Sequence, residues 1–323
     1  MTGEDAMIPN VASVQKPTPS RFRRHLGRIR RQRVLLYMTV PLMLHLFLFQ
    51  YIPLWGWIIA FKDYTVGLSV WTAPWIGFEN FERLFNHPDF LPALRNTVIM
   101  NAMGLVLGTV SAIWLAVVLN ELRSKWFVRT VQTMTYLPHF VSMVVLANIA
   151  FAMLSPNGGV LNEVLIKLGL IDGGIFFLGR GEWFWVLHTL ILTWKNFGWS
   201  AIVYLAAIAG LDPNLYDAAE VDGAKRWQRV WYITIPGIMP TIVLLLILAI
   251  GNLVKSGFES QYLLGNVLTR PYSETVAIFV LRAGLGEGDF SFGTAIGIFE
   301  SVVCVTMLLI VNGIARRYQN SVF

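Results

Sequence analysis

Charged residues are scarce in this sequence. Only 14% of its 323 residues are charged, whereas 55% are hydrophobic, a balance that a soluble domain of this length does not tolerate. The composition therefore predicts a membrane protein. A net charge of +6 could indicate an acidic partner or nucleic acid, but the Lys and Arg residues of a membrane protein usually report its direction of insertion. We expect the lipid bilayer as a partner and no nucleic acid.

The sequence also lacks the residues of common catalytic and cofactor sites. Its one cysteine, Cys304, lies in a hydrophobic run, so no intrachain disulfide can form and no zinc-type spacing exists. The five histidines show no HExxH spacing, no GxSxG elbow occurs, and the Gly-Lys pair of a Walker-type phosphate loop is absent. We therefore predict no catalytic residue, no metal site and no cofactor bound by this chain.

Long apolar runs are what the sequence has instead. A helix needs roughly 20 apolar residues to cross the hydrocarbon core of a bilayer. The first run is too long for the core of a signal peptide and has no small-residue cleavage site, so we expect it to remain as an anchor. The predicted fold is an all-α membrane protein with six transmembrane helices, at about 34–61, 97–119, 131–154, 183–208, 235–254 and 292–314.

The distribution of Lys and Arg predicts the orientation. Of 25 such residues, sixteen fall in the N-terminal tail, the 120–130 loop, the 211–234 loop and the C-terminal end, and eight fall in the other loops. The positive-inside rule then places both termini in the cytoplasm. We predict a basic cytoplasmic tail over 1–33 and a transmembrane domain over 34–323. The run "RFRRHLGRIRRQR" could instead bind anionic lipid or nucleic acid.

The loops on the opposite side are long and contain little charge. They cover about 62–96, 155–182 and 255–291 and are rich in Gly, Trp, Phe and Pro. This composition favours short re-entrant or interfacial helices over a disordered segment. Such loops could dock an external partner.

A polar segment, "LDPNLYDAAEVDGAKRWQRVWYITIP", separates the fourth and fifth apolar runs. Asp212 is a favourable N-cap and Pro213 fits the first helical position, which predicts a short helix from Pro213 to about Val221. Gly223 would end this helix, and a second, interfacial helix would begin at Ala224. Pro236 would mark the turn into the membrane. The alternative is a solvated connector without a partner.

Lys195 is the one lysine or arginine placed within a predicted span. A charge there costs on the order of 2.5 to 3.5 kcal/mol, so it should face a cavity or a partner and not lipid. With Asn196 and Trp199, at helical spacing, it could line a passage and meet a hydroxylated or carboxylated sugar. The alternative is a structural contact to a carbonyl or to an acidic group of a partner. Further candidates for the passage are Asn252, Lys255, Gln261 and Tyr262.

The polar segment resembles a known family motif. Asp217-Ala-Ala, three residues, Gly223, nine residues and Ile233-x-Ile235-Pro236 reproduce the spacing of the EAA loop of ATP-binding-cassette importer permeases. "DAAEVDGA" resembles the form of the sugar-importing branch, although Asp217 stands where Glu is usual and Ile235 where Leu is usual. The segments "WIGFENFERLFNHPDFLPALRNT", "YLPHFVS" and "SPNGGVLNEVLIKLGLI" also resemble that branch, so the match covers nearly all of 34–323.

The resemblance implies a type I importer. In such an importer a second permease, generally a different paralogue, completes the pathway, two cytoplasmic ATPase subunits bind ATP and Mg, and an external solute-binding protein delivers the cargo. The first helix of the loop would seat in a cleft of the ATPase, which gives coupling roles to Asp217, Ala218, Ala219, Asp222, Gly223, Ala224 and Pro236. "NFGWSAIVYLAAIAGLDPNLYDAAEVDGA" and "GFESQYLLGN" most resemble permeases for oligosaccharides, such as the alginate and uronate-oligomer importers.

Two other classes of membrane protein remain as alternatives. One is a secondary transporter or channel that works without an ATPase, and the other is a multi-pass membrane enzyme. A secondary carrier would usually show an internal repeat and several intramembrane acids. The sequence has no clear repeat, and Glu300 is the one acid deep in a predicted span. As a hypothesis, Glu300 could pair with Lys195.

Overall fold

The computed structural model describes residues 33–67, 69–251, 253–255 and 257–317, so the predicted basic tail lies outside the described residues except for Arg33. The chain divides into two compact units, Met1–Gly56 and Trp57–Phe323. The first unit contains helix α1 (Arg33–Leu46) and a wide π-type turn, Phe47–Tyr51. The boundary between the units falls within the tight helical segment Ile52–Phe61. The side chains described from Val34 to Trp55 are exposed, as expected of a helix that meets lipid.

Helices form almost all of the second unit. In the described residues the only β pairing is an isolated bridge between Lys62 and Trp75. The helices are α2 (Glu79–Asn86), α3 (Phe90–Glu121), α4 (Lys125–Tyr136), α5 (Met143–Leu154), α6 (Val160–Lys167), α7 (Gly181–Ala209), α8 (Pro213–Val221), α9 (Arg226–Arg229), α10 (Ile235–Gly251), α11 (Glu259–Leu264), α12 (Arg270–Ser273), α13 (Val276–Val280) and α14 (Phe290–Arg317).

Four helices in the described residues are long and apolar enough to cross a membrane: Tyr37–Phe61, Phe90–Glu121, Arg226–Gly251 and Phe290–Gly313. They match four of the six predicted spans. Helix α7, which holds the predicted fourth span, is 29 residues long, but its polar side chains, Lys195 among them, lower its mean hydropathy.

The predicted third span, 131–154, is not one straight helix. Lys125–Phe140 and Met143–Leu154 meet at 104° and together could form a fifth span. The first part tightens into a 3₁₀ turn at Leu137–Phe140, which contains Pro138. The side chain of Ser142 then accepts a hydrogen bond from the backbone N–H of Val145 and begins the next helix. A helix N-cap inside an apolar run therefore divides the segment.

The main apolar core lies between α3, α7 and α10. Small residues, Ala112 and Ala116 of α3 and Ala201 of α7, are fully buried there and let the helices approach closely. Ile238 of α10 closes the cluster. Because the C-terminal ends of α3 and α7 border the same recess, the two helices run parallel.

Polar side chains organise the loops at the opposite end of these helices. The three loops that the sequence analysis identified contain short helices in their described residues, as predicted. Fully buried Asn96 of α3 donates hydrogen bonds to the carbonyls of Pro271 and Glu274, at 3.0 and 2.9 Å. Asn162 joins the carbonyls of Ser155 and Ile175 in the same way.

An ion-pair cluster holds the same end together. Arg282 binds Asp89 at 2.7 Å, Glu274 at 2.8 Å and Glu287 at 3.0 Å, and Arg270 also binds Asp89 and Glu274. Burial alone would lower the pKa of Arg282, but the hydrogen bonds and charges of Glu274 and Asp89 outweigh burial and raise it. Arg282 therefore stays charged and ties the start of α3 to the segment before α14.

Candidate functional site

A cavity of about 750 Å³ opens between α3, α7, the end of α10 and α11. It is bordered by backbone at Gly104 and Gly108 of α3, where a Cβ atom would meet nothing within 4 Å. Its wall carries many polar groups for a protein of this composition. Of the sequence-predicted passage residues, Lys195, Asn196, Trp199, Lys255 and Gln261 line it.

Lys195 reaches the cavity wall but points its ammonium group at backbone. Its Nζ atom donates hydrogen bonds to the carbonyl of His139 at 2.7 Å, to that of Pro138 at 3.4 Å and to that of Val141. These carbonyls end the first half of the bent third span. The structural alternative considered for Lys195, a contact to a carbonyl, is therefore what the structure has.

Asn196 and Trp199 form a second contact with the same bend. The imidazole of His139 lies parallel to the indole of Trp199, with 4.6 Å between centroids and 2° between planes. Because Asn196 Nδ2 donates to the carbonyl of Leu192, its Oδ1 faces His139 and accepts from Nδ1 at 3.1 Å. His139 is not among the predicted site residues, because the position of His139 after Pro138 does not indicate these partners.

Gln261 lies at the other end of the cavity in a buried hydrogen-bond chain. The hydroxyl of Ser260 donates to Gln261 Oε1 at 2.8 Å, so it accepts from Nε2 of His188 at 3.1 Å, since a hydroxyl has one hydrogen to give. His188 is only 4% exposed, and its Nδ1 has no hydrogen-bond partner in the described residues. His188 lines the cavity and was missed, because single histidines in a span carry no spacing signal.

The proposed pairing of Glu300 with Lys195 is wrong within this chain. The ammonium of Lys195 is held by carbonyls, and the positive charge that acts on Glu300 is that of Lys255. The carboxylate of Glu300 and the ammonium of Lys195 therefore have different partners, which spacing along the sequence does not reveal.

Two of the passage candidates are not placed at the cavity. Tyr262 is 60% exposed and packs its ring against Phe258, and it is not among the residues described around the cavity. Asn252 lies outside the described residues. The helical pitch explains Tyr262, because it points away from the side of α11 that carries Gln261.

The polar segment between α7 and α10 forms the second candidate site. Helix α8 begins as predicted, with Pro213 at its first position and Asp212 accepting a hydrogen bond from the N–H of Asn214 at 3.0 Å. It ends in a Schellman arrangement, in which the N–H of Ala224 bonds the carbonyl of Ala219 and Gly223 has φ of 76°. Gly223 thus ends the helix, as predicted.

The second half of the segment differs from the prediction. Helices α9 and α10 run on through a wide π-type turn as one continuous helical segment of 26 residues, Arg226–Gly251. The predicted interfacial helix is therefore not separate from the span, and Pro236 does not turn the chain. A wide π-type turn, Val230–Thr234, precedes Pro236. The altered hydrogen-bond register there accommodates a residue that has no N–H to donate.

Two contacts fix α8 against this long helix. The hydroxyls of Tyr216 and Thr234 lie 2.9 Å apart, and Arg229 binds Glu220 at 3.0 Å. A recess of about 480 Å³ next to α8 is bordered by acidic and basic side chains, among them Asp217 and Arg226. The segment is therefore a braced element with a charged border.

The residues predicted to couple to an ATPase lie mostly on the surface. Exposed members are Asp217, Ala218, Asp222, Gly223 and Pro236, and the half-buried ones are Ala219 and Ala224. Their surface is shallow because the side chains at its centre are small. In the described residues, no group of three or more His, Cys, Asp or Glu side chains could hold a metal ion.

Comparison with known proteins gives the family. Residues 94–320 match the family described as "Binding-protein-dependent transport system inner membrane component". The polygalacturonan/rhamnogalacturonan transport system permease protein YteP of Bacillus subtilis (strain 168) is 39% identical over 318 residues, which cover 98% of each chain. Protein LplB of the same strain is 37% identical, over 91% of this chain and 92% of LplB.

A solved structure gives the same result. The crystal structure of a bacterial ABC transporter involved in the import of the acidic polysaccharide alginate contains a chain that superposes with a TM-score of 0.84 at 37% identity. The match covers 91% of this chain and 99% of that chain. The family match and the nearly full-length similarity show that the chain belongs to the inner membrane components of binding-protein-dependent transport systems.

Proposed function

We propose that this chain is a membrane-spanning permease subunit of an ATP-driven importer of oligosaccharides. The observation that carries the proposal is the polar cavity of about 750 Å³ between helices that are apolar elsewhere. Its volume lies in the range of small-molecule sites, and amide, hydroxyl and indole groups such as Asn196, Ser200 and Trp199 suit the hydroxyls and C–H faces of a sugar.

The proposed cargo is an anionic oligosaccharide, such as an alginate or other uronate oligomer. This choice is supported by the relatives, whose names give polygalacturonan, rhamnogalacturonan and the acidic polysaccharide alginate. It is also supported by Lys255, which lines the cavity. No carboxylate of the described residues lies within ion-pair distance of its ammonium group, and its charge acts on Glu300 only at longer range.

The proposed architecture is that of a type I importer permease in the inner, cytoplasmic membrane. It has six spans with both termini in the cytoplasm, and the bent third span and polar α7 supply the two spans beyond the four apolar helices. A second permease completes the pathway, and an external solute-binding protein delivers the cargo. A related structure contains alginate transporter with an alginate pentasaccharide-bound periplasmic protein, which supports the last partner.

Coupling to ATP hydrolysis is proposed to run through α8. Two ATPase subunits would bind ATP and Mg, and closure of their dimer would move α8, which the contacts of Tyr216 and Glu220 join to the long Arg226–Gly251 helix. The chain itself would have no nucleotide site and no catalytic residue.

The test is uptake by the complete complex in sealed vesicles that present the external binding protein. ATP and Mg are supplied on the side of the membrane that carries the ATPase subunits. A labelled uronate oligomer should then accumulate on that side, and it should not accumulate when a non-hydrolysable ATP analogue replaces ATP. Accumulation that needs only an ion gradient would instead identify a secondary transporter. The neutral cello-oligomer of equal length is the matched cargo, and preference for it would overturn the anionic assignment.

A further inference from the structure

The ammonium group of Lys195 directs its hydrogen-bond donors at backbone carbonyls and not at the cavity. A lysine ammonium carries three N–H donors, and three carbonyl oxygens, those of Pro138, His139 and Val141, accept from Nζ. A bound carboxylate would have to replace one of them. Removing the carbonyl of His139 or Val141 from such a contact inside the membrane takes away the donor that Lys195 gives to it.

The three carbonyls share one structural origin. They lie where the helix that begins at Lys125 ends and the chain bends by 104° into Met143–Leu154. The last carbonyls of a helix lack intrahelical donors and form the negative end of its dipole. Here the carbonyl of Pro138 accepts the N–H of Val141 at 3.2 Å, and Lys195 supplies a donor to those of His139 and Val141. A lysine that reaches this end from a neighbouring helix therefore acts as a C-cap, a stabilising role that needs no cargo.

The bend carries one side chain, that of His139, which contacts residues that line the cavity. His139 stacks its ring on Trp199 at 4.6 Å and donates to Asn196, while its carbonyl accepts from Lys195. Three residues within little more than one turn of α7 thus hold both the backbone and the ring of His139. The helices meet closely here, because a Cβ atom at Gly198 would collide with the carbonyl of Thr135.

Trp199 stands between this bend and the cavity. Its side chain is part of the cavity wall and the residue is 45% exposed, whereas His139, which covers one face of the indole, is not among the residues described around the cavity. Phe140 contacts the indole edge-on at 5.7 Å. The indole is therefore fixed from behind and presents its remaining surface to the cavity.

We propose that Lys195 is a positioning residue that caps the bent third span and, through His139, fixes the indole of Trp199 as a cargo-facing surface of the cavity. This inference rests on the proposed function for the identity of the cargo. It assigns Lys195 no contact with the cargo, and it leaves Lys255 as the other lysine of the cavity wall.

The test is a double-mutant cycle in the complete importer with its ATPases and external binding protein. Lys195→Met should raise the half-saturating cargo concentration about tenfold, the size expected for a lost charge-assisted hydrogen bond, with a smaller change in maximal rate. Trp199→Leu should give a similar rise. The double variant should be no worse than the poorer single variant, because both changes remove the same surface.

Two further variants serve as controls. Lys195→Arg can still donate to carbonyls and should recover most of the affinity. Lys255→Met leaves the bend untouched, so its fold-change in half-saturating concentration should multiply with that of Trp199→Leu. Effects of Lys195→Met and Trp199→Leu that multiply, or a Lys195→Met defect confined to anionic cargo, would overturn the proposal.

A variant that fails to assemble does not end the test. His139→Leu keeps the carbonyl contacts of Lys195 and removes only the ring, so it should raise the half-saturating cargo concentration. Combined with Trp199→Leu it should cause no further rise, and a further rise would refute the proposal. If the unmodified complex shows no ATP-driven uptake, the proposed function fails separately. Hydrogen exchange then decides: amides of 139–141 should exchange faster in Lys195→Met, and unchanged exchange would overturn the cap.

Discussion

Gly223, which ends helix α8, offers the sharpest test of the proposed coupling through that helix. Its φ of 76° lies in the left-handed region, where an L-residue with a Cβ atom costs roughly 1 to 2 kcal/mol. A Cβ atom built there meets nothing within 4 Å, so the chain itself offers space for a larger side chain. Backbone strain and contact with a partner can therefore be separated at this position.

The expected order of effects follows from that geometry. Gly223→Asn should cost least, because Asn tolerates the left-handed region. In the free permease, Gly223→Ala lets the turn relieve about 1.4 kcal/mol of strain by leaving its left-handed conformation. Binding must restore that conformation, so association with the ATPase subunits should weaken by up to roughly tenfold. Gly223→Val adds a β-branched side chain to the same strain and should abolish association if the partner covers this surface.

The assay is co-purification and affinity of the ATPase subunits, followed by cargo-stimulated ATP hydrolysis in the complete complex. Thermal unfolding of the permease alone is the control, and it should fall only slightly for all three variants, since α8 lies at the surface. Wild-type association of both Gly223→Ala and Gly223→Val would refute the docking role of the segment.

Three further predictions concern stability, each measured by thermal unfolding of the purified permease. Gly198→Ala should lower the free energy of unfolding by about 1 to 3 kcal/mol, since its Cβ would collide with the carbonyl of Thr135. Asn96→Leu should cost about 1 to 3 kcal/mol, because the buried carbonyl of Glu274 loses its donor, whereas that of Pro271 keeps a hydrogen bond from Arg95. Arg282→Met should destabilise equally from pH 5 to 9, because a raised pKa gives stability that is present below the ordinary arginine pKa and lost only as pH rises through the raised value.

Each of these has a matched comparison. Gly104→Ala adds the same methyl group where nothing lies within 4 Å, and a loss equal to that of Gly198→Ala would contradict the close approach. Asn162→Leu removes the same kind of amide contact in another loop. A loss for Arg282→Met that disappears between pH 5 and 9 would contradict the ion-pair account.

The sequence could predict the features that depend on neighbouring residues. The start and end of α8 follow from Asp212, Pro213 and Gly223, whose preferences act within one helical turn. For the same segment, the predictions of an interfacial helix at Ala224 and of a turn at Pro236 were wrong. The wide turn that absorbs the proline depends on how the helix packs, and no residue preference announces it.

Packing glycines illustrate the same limit. Gly104 and Gly108 have the spacing of a close helix contact, yet they border the cavity and have no neighbour where a Cβ atom would stand. Gly293, which has the same spacing to Gly297, does approach a neighbour closely, at Gly284. Gly198, which has no such spacing, makes another close contact, with Thr135. A small residue allows contact, and only the position of the neighbouring helix decides whether contact occurs.

The amino-acid sequence by itself determined the membrane class, four of the apolar spans and the caps of helix α8, because composition and local preferences act over a few residues. Only the tertiary structure decided what Lys195 does. Its carbonyl partners lie 54 to 57 residues away along the chain, and the bend that exposes them places them within reach of α7. Because an unpaired charge in the membrane is costly, the sequence indicates that Lys195 needs a partner. Only the fold determines that this partner is the set of carbonyls at the bend.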